Sequence, residues 1–254
     1  MLAALAWGLP LCVQGSSAPA YTAATIVNSA TSTPDGLAPN TIASIYGTNL
    51  SNSDPVAASG LRPGTILVQE LAGVRVYVGG RPVCLYYVSS QQINFLVPAD
   101  LRPGEMDLFV AREGVAGPQA HITLHDVGPG LFQSSPNVLI ATHANGILIT
   151  KNLPAHAGET VVAYATGLGP TTPPVVSGMV SMAPAQIAQL SDFQVLVNGA
   201  ALPRASILYA GVSPGPPGLY QVTFILPKSV TPNPEIRVAI GDQSSPPGVK
   251  LFLQ

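Results

Sequence analysis

Three short blocks of sequence occur twice in this chain, in the same order and at domain-sized separation. The paired blocks are residues 44–50 and 162–168, residues 74–80 and 193–199, and residues 92–98 and 221–227. A repeat of this kind is typical of a chain built from two copies of one structural unit. We therefore predict two similar domains, and any function has to be sought within them or between them.

The composition favours an exported β-protein over a cytosolic enzyme. The 254 residues suffice for two ordinary domains, each able to bury its own core. Charged residues make up only 9% of the chain, against about 25% in an average globular protein. Lys and Arg total 10, and none precedes Arg62. This small and scattered positive charge argues against nucleic acid and anionic membrane surfaces as partners.

Helix-breaking residues and period-two patterns predict an all-β fold of tandem β-sandwiches. The chain contains 26 Pro and 25 Gly, and proline disrupts helix interiors because it lacks a backbone donor. Val74, Val76 and Val78 alternate with other residues, as on a strand with one buried face. Asn198-Gly199 follows the equivalent run in the second copy and suits a tight hairpin turn. Only residues 183–190 suit a short helix, which we expect to be a connection.

We divide the chain into three segments at turn-rich positions. Residues 1–20 are assigned to a signal peptide, residues 21–127 to the first sandwich and residues 128–254 to the second. The boundary lies near Gly128-Pro129-Gly130, a motif typical of a linker. Asn145-Gly146 lies between two β-rich runs and is the strongest local hairpin motif. We expect this hairpin to open the second domain or to pack against the junction.

The N-terminal segment resembles an atypical export signal. Residues 2–13 are apolar but too short to span a bilayer, and Ala18-Pro19-Ala20 matches a cleavage motif. No basic residue precedes the apolar run, so either the signal is unusual or the true start lies upstream. A buried N-terminal segment is the alternative. A lipoprotein site at Cys12 is disfavoured because Leu11 is not small. No other apolar segment is long enough to cross a membrane.

Cleavage after Ala20 would leave Cys84 as the single cysteine. A lone cysteine cannot form an internal disulfide. Because Cys84 lies in a strand-like run, we interpret it as a small buried apolar residue rather than a nucleophile. The predicted location is secreted or cell-surface.

Several ordered motifs resemble one known family. Residues 39–50 resemble the opening strand of immunoglobulin-like IPT/TIG modules. More specifically, the chain is similar to the uncharacterised C-terminal domain family abundant in Solibacter and other Acidobacteria. The motifs are residues 85–88, 92–98, 129–132, 164–170, 208–211 and 218–222. The resemblance extends from about Ile26 to the C-terminus. It departs from the family at Ser89-Ser90-Gln91, where the family commonly has Ser-Pro with Gly.

The resemblance implies two immunoglobulin-like sandwiches of a secreted or surface protein. Such domains usually stand at the end of a longer chain, behind repeat or adhesive modules. The family has no known catalytic residues, so none is carried over to this sequence.

One short motif matches serine hydrolases. Gly211-Val212-Ser213-Pro214-Gly215 fits the pattern G-x-S-x-G, whose chemistry needs a strained turn from a strand into a helix. Pro216, Pro217 and Gly218 follow and oppose a helix start. We interpret the motif as a Gly/Pro turn and keep a hydrolase acting through Ser213 as a third hypothesis.

The remaining titratable residues lack the spacing of a metal or catalytic site. His121 and His125 share a strand face but lie about 13 Å apart, too far for one metal ion. His143 and His156 lie in turn-like contexts. A calcium site built from loop carbonyls and one or two carboxylates remains an alternative. The acidic residues considered are Asp35, Asp54, Glu105, Asp107, Asp126 and Asp192. We predict no cofactor and no metal.

Aromatic residues are too few to favour sugar binding strongly. They make up 6% of the chain, and the single tryptophan, Trp7, lies in the predicted signal. Most of the tyrosines are interpreted as core or interdomain packing residues. They are Tyr21, Tyr46, Tyr77, Tyr86, Tyr87, Tyr164, Tyr209 and Tyr220.

We predict a non-catalytic module for adhesion, spacing or protein–protein contact, with an unknown surface protein or glycan as partner. Carbohydrate binding to envelope or extracellular polysaccharide is the second hypothesis.

Overall fold

The protein consists of two immunoglobulin-like β-sandwiches in tandem, which confirms the predicted fold class. The structure is a computed structural model and describes residues 17–254. Within this range there is no α-helix, and three short 3₁₀ helices cover Ala23–Thr25, Pro34–Gly36 and Arg204–Ser206. No helix of residues 17–254 has the length and apolarity that a membrane crossing requires. Most of the predicted signal, with Trp7 and Cys12, lies outside the described residues.

The first sandwich is formed by ten strands. They are β1 (Ile26–Asn28), β2 (Ile42–Tyr46), β3 (Val56–Ala57), β4 (Val74–Val78), β5 (Arg81–Pro82), β6 (Leu85–Val88), β7 (Gln92–Leu96), β8 (Gly104–Arg112), β9 (Val115–Ala116) and β10 (Ala120–Leu124). One sheet has the order β1-β2-β7-β6-β3 and the other β10-β8-β4-β5. Without the short β3 and β5, these are the A-B-E-D and G-F-C sheets of an immunoglobulin constant-type domain.

The second sandwich contains the remaining strands. They are β11 (Gly130–Leu131), β12 (Gln133–Ser135), β13 (Val138–Leu139), β14 (Ala141–His143), β15 (Thr160–Thr166), β16 (Thr171–Thr172), β17 (Ala185–Ile187), β18 (Phe193–Val197), β19 (Ala200–Ala201), β20 (Ile207–Val212), β21 (Tyr220–Ile225), β22 (Ile236–Ile240) and β23 (Gln243–Ser244). The main sheet has the order β11-β15-β21-β20-β17-β16, and it faces β19-β18-β22-β23.

The repeated sequence blocks occupy corresponding strands. The first block covers β2 and β15, the second β4 and β18, and the third β7 and β21. The order β2-β7-β6 in the first sandwich matches β15-β21-β20 in the second, and the pair β4-β8 matches β18-β22. Equivalent positions of the repeat therefore lie on equivalent strands.

Each sandwich has its own apolar core between its two sheets. Ile45, Val76 and Phe95 are fully buried in the first core, and Val195 and Phe224 in the second. These residues come from the period-two patterns, because alternate side chains of a strand point to the same face.

The short helix expected at residues 183–190 is not formed, and that prediction is wrong. Residues 185–187 are strand β17, where Ala185 and Ile187 are buried and Gln186 is exposed. β17 pairs with β20 on one side and β16 on the other. Because the segment continues the main sheet, its backbone groups find partners there and not in a helix.

The Asn145-Gly146 hairpin is present and lies against the main sheet of the second sandwich. The Gly146 amide donates to the His143 carbonyl over 2.9 Å, and the Ile149 amide donates to the Ala141 carbonyl over 2.9 Å. Its first arm, β14, pairs with β15. The turn residues thus fold as their sequence predicts.

Residues 17–20 form part of the first sandwich. Ala20 and Thr48 exchange two backbone hydrogen bonds of 2.9 Å, and Pro19 is buried. The guanidinium of Arg112, itself only 1% exposed, donates to the Ser17 carbonyl over 2.8 Å. The predicted cleavage after Ala20 stays a prediction, and it would remove residues that this sandwich uses for packing.

Candidate functional site

A buried hydrogen-bond network joins the two sandwiches. Thr166, at the end of β15, is fully buried. Its Oγ1 accepts a hydrogen bond from the Ile42 amide over 2.9 Å and donates one to the Gly218 carbonyl over 2.7 Å. Asn40 Nδ2 donates to the Tyr220 hydroxyl over 2.9 Å, and that hydroxyl in turn donates to the Gly169 carbonyl. Since buried polar groups are costly to separate from their partners, this network resists movement of one sandwich against the other.

Close backbone approach reinforces the junction. Gly218 has φ +75, and a Cβ there would lie 2.6 Å from Leu96 Cδ1. The Tyr86 hydroxyl donates to the Pro217 carbonyl, and Asn28 Nδ2 donates to the Gly128 carbonyl over 3.0 Å. Burial raises the pKa of the Tyr86 hydroxyl far above its usual value. The junction therefore needs its glycine and its neutral tyrosine.

Two long loops also pair across the junction. The Val180 amide donates to the Thr65 carbonyl over 2.8 Å, and the Leu67 amide donates to the Gly178 carbonyl over 2.9 Å. Leu67 and Val180 are buried, whereas their sequence neighbours Ile66 and Met179 form a β-bridge pair. The loops thus extend the strand pairing from one sandwich to the other.

The paired loops present exposed aliphatic side chains. We define the paired-loop surface as Ile66, Val68, Val176 and Met182. The exposed fractions of Ile66 and Met182 are 59% and 67%. Val176 and Met182 line a recess of about 170 Å³. Residues 160–191 contain no charged residue. The other loop carries Arg62 and Glu70 on either side of Ile66 and Val68. Exposed aliphatic side chains beside an uncharged segment are typical of a protein contact site.

A second surface lies on the solvent face of the first sandwich. Tyr46 on β2 is the register partner of Gln92 on β7, and Tyr87 on β6 is the partner of Asn94 on β7. Tyr46 is 41% exposed and the other three side chains are partly exposed. Gln92 Nε2 donates to Asn94 Oδ1 over 2.7 Å. We call these four residues the first tyrosine–amide cluster.

The second sandwich carries a matching set on the corresponding strands. Tyr164 on β15 is the register partner of Gln221 on β21, and Tyr209 on β20 is the partner of Thr223 on β21. All four side chains are partly exposed. Gln221 Nε2 donates to Thr223 Oγ1 over 3.0 Å. We call these residues the second tyrosine–amide cluster; it repeats the first, with threonine in place of asparagine.

The hydroxyl groups of the two clusters differ in how they are used. The hydroxyls of Tyr46, Tyr87 and Tyr164 have no hydrogen-bond partner among residues 17–254; Tyr46 is exposed and the other two are partly exposed. The Tyr209 hydroxyl instead donates to backbone carbonyls, including that of Ala185 at 3.2 Å. Tyr220 is a packing residue, since it is fully buried, whereas Tyr46 is 41% exposed and is not.

The G-x-S-x-G motif forms a turn. Ser213 follows the end of β20, and its hydroxyl donates to Gln221 Oε1 over 2.6 Å. Gly215 exchanges backbone hydrogen bonds with Ser181 in the adjoining loop. Because no α-helix begins within residues 17–254, the strand-to-helix elbow of serine hydrolases is not built here.

The histidines do not gather around a common centre. His121 pairs with Asp107 at 2.7 Å on the surface, and His143 pairs with Glu159 in the second sandwich. The pKa of Asp107 is lowered, mainly by its hydrogen bond to Gln119 and also by His121. No group of three or more His, Cys, Asp or Glu side chains among the described residues is arranged to hold a metal ion.

Cys84 is a buried free thiol beneath the paired loops. A Cβ on Gly178 would lie 2.5 Å from its sulfur, so the thiol fills the space that this glycine leaves. Burial raises the pKa of the Cys84 thiol, which disfavours the reactive thiolate. The structure thus places Cys84 where an apolar packing residue is needed.

Comparisons with known proteins give only distant similarities. No family model matches the chain, and no curated protein matches it. Among solved structures, the surface glycan-binding protein PbSGBP-B from Prevotella bryantii is 12% identical; the match covers 90% of this chain and 41% of that one, with a TM-score of 0.30. SGBP-B from Bacteroides ovatus, in complex with a mixed-linkage heptasaccharide, is 10% identical, with 87% and 44% coverage and a TM-score of 0.34.

A third similarity covers nearly the full length of both chains. Domains 5–6 of the S-layer protein SbsC are 8% identical, with 92% and 98% coverage and a TM-score of 0.28. The chain spans less than half of the two glycan-binding proteins. Since these TM-scores lie below 0.5, none of these similarities bears on the function of this chain.

Proposed function

We propose that the chain is a non-catalytic module of a secreted or cell-surface protein that serves adhesion, spacing or contact with another protein. The observation that carries this proposal is the paired-loop surface, which the rigid junction presents. Covering these exposed aliphatic side chains with another protein removes apolar surface from water, which is favourable. Export would use the atypical N-terminal signal, which lacks a basic segment.

The rigid junction supports a spacing role. Most contacts between domains of one chain are polar and permit relative motion. Here Thr166, Asn40 and Tyr220 are buried and hydrogen-bonded across the junction. A chain of this construction holds any surface it carries at a fixed distance and angle from the other sandwich.

The test replaces two exposed aliphatic residues by aspartate. The double variant I66D/M182D places charges on the paired-loop surface, where surface substitutions leave stability within about 0.5 kcal/mol. Leu148→Asp is the matched control, since Leu148 is 46% exposed on the hairpin of the second sandwich. Binding to an envelope extract of the source organism is measured by biolayer interferometry. Loss in the double variant alone supports the proposal; equal binding by all variants contradicts it.

Carbohydrate binding is the second candidate function. The observation that favours it is the pair of tyrosine–amide clusters, which present aromatic rings beside amide and hydroxyl groups on open sheet faces. Sites of this kind combine apolar contact with a few placed hydrogen-bonding groups. A glycan array probed with the purified protein separates this function from a purely protein-directed one, since only the former gives saturable binding to one class of glycan.

A further inference from the structure

We propose that the two tyrosine–amide clusters are the two halves of one binding surface for an uncharged polysaccharide. The inference depends on the proposed binding function, and it names the ligand class and the residues that contact it. Each cluster supplies tyrosine rings for the apolar faces of sugar rings and amide groups for their hydroxyls.

The hydrogen-bonding capacity of each cluster is only partly used within the protein. Gln92 donates one amide N–H to Asn94, whose Oδ1 also accepts from the Ser44 hydroxyl over 3.0 Å. Gln221 donates one amide N–H to Thr223, and its Oε1 accepts from the Ser213 hydroxyl over 2.6 Å. An amide carries two N–H donors and a carbonyl that accepts two hydrogen bonds. The remaining groups lie on the solvent side of the sheet, where neighbouring sugar hydroxyls can pair with them.

The charge of the surface selects an uncharged ligand. The six strands that carry the clusters, β2, β6, β7, β15, β20 and β21, contain no Asp, Glu, Lys, Arg or His. A surface without cations gives no electrostatic attraction to uronic acids or sulfated sugars. Neutral hexose polymers therefore match it better than anionic polysaccharides do.

The repetition of the clusters distinguishes a binding role from a folding role. The inward positions of β7 and β21 have to be apolar to fill the cores. Outward positions tolerate most substitutions with little effect on stability. Yet the same Tyr–Gln pair recurs on these outward positions, as Tyr46 with Gln92 and as Tyr164 with Gln221. Filling the core does not require this recurrence.

The junction sets the spacing between the two halves. Tyr46 lies four residues from Ile42 along β2, about 13 Å, and Tyr164 lies two residues from Thr166 along β15, about 7 Å. Ile42 and Thr166 are joined directly by a hydrogen bond of 2.9 Å. The strand path between the tyrosines is therefore about 20–25 Å. One extended sugar chain can contact both clusters, and simultaneous contact raises the apparent affinity.

The experiment is affinity electrophoresis of the purified protein in gels that contain one polysaccharide each. The neutral probes are dextran, galactomannan, laminarin and hydroxyethylcellulose, and alginate is the anionic probe. The variants are Y46A, Y164A and the double variant Y46A/Y164A. Tyr77→Ala is the control. Tyr77 and Phe109 stack on each other on the other sheet of the first sandwich, and Tyr77 has no glutamine as its register partner. Thermal unfolding verifies that every variant is folded.

We expect at least one neutral polysaccharide to retard the protein and alginate to have no effect. Each single variant should bind about tenfold more weakly, because one half of the surface is lost, and the double variant should run as in an empty gel. Tyr77→Ala should bind as the unchanged protein does. Absence of retardation by every neutral probe, or equal retardation of the double variant, overturns the inference. In that case the protein-contact function still stands if I66D/M182D loses binding to the envelope extract, and it fails as well if that binding is unchanged.

Discussion

Removal of residues 17–20 should strongly destabilise the first sandwich. A chain that begins at Tyr21, as cleavage after Ala20 would produce, loses both backbone hydrogen bonds between Ala20 and Thr48. At about 1 kcal/mol each, these contribute about 2 kcal/mol. It also loses the Ser17 carbonyl that accepts a hydrogen bond from buried Arg112. A hydrogen bond to a charged group contributes about 1.5–3 kcal/mol. The expected loss is therefore about 3.5–5 kcal/mol in the free energy of unfolding.

The measurement compares urea denaturation of two chains, one beginning at Ser17 and one at Tyr21. A loss of this size lowers the urea midpoint by more than 1 M, since urea acts with about 1–3 kcal/mol per molar on domains of this size. A chain beginning at Ala18 serves as the control, because it keeps Ala20 but lacks the Ser17 carbonyl. If the chain from Tyr21 unfolds within about 0.5 kcal/mol of the chain from Ser17, the assigned packing of residues 17–20 is refuted.

Three further predictions address the junction and the rejected hydrolase motif. Burial raises the pKa of both Tyr86 and Tyr220. Their contribution to the unfolding free energy should therefore be constant below pH 10 and fall above it by about 1.4 kcal/mol per pH unit for each tyrosine. A flat profile above pH 10 in urea titrations would contradict this. Gly218→Ala should lower the unfolding free energy by at least about 2 kcal/mol more than Gly199→Ala, because both glycines have positive φ but only Gly218 faces Leu96; equal melting temperatures would contradict it. A fluorophosphonate probe should leave Ser213 unlabelled, as judged by mass spectrometry, and labelling there would revive the hydrolase hypothesis.

The strands were the part of the fold that could be predicted best from the sequence. Val74–Val78 and Phe193–Val197 alternate apolar and other residues, and both are strands with the predicted inward faces. Asn198 and Gly199 adopt positive φ in the predicted hairpin turn. These features depend on local chemistry and on the period of two. The predicted helix at residues 183–190 failed because its backbone groups pair with a distant strand, β20, which local sequence does not reveal.

The candidate sites are harder to predict from the sequence than the strands are. They depend on which end of a strand the other sandwich covers. Ile42, Ser44 and Tyr46 share the outward face of β2, and the period of two assigns all three to it. Only the structure shows that the second sandwich covers Ile42 while Tyr46 stays exposed. The recurrence of Tyr46 and Gln92 as Tyr164 and Gln221 was present in the aligned blocks. It could have suggested an outward pair, but their register across the sheet was not known.

Residues 39–50, 164–170 and 218–222, three of the motifs noted in the sequence, have a common structural role. Asn40, Thr166, Tyr220 and Gly218 all belong to those motifs, and all lie in the buried junction. Pro129 lies in the connection between the sandwiches, and Gly130 begins strand β11. These motifs therefore supply side chains that hold one sandwich against the other. Under the proposed binding function, a ligand is recognised by outward residues beside the junction. Tyr46 and the second tyrosine–amide cluster lie there, on strands that the junction itself fixes in place.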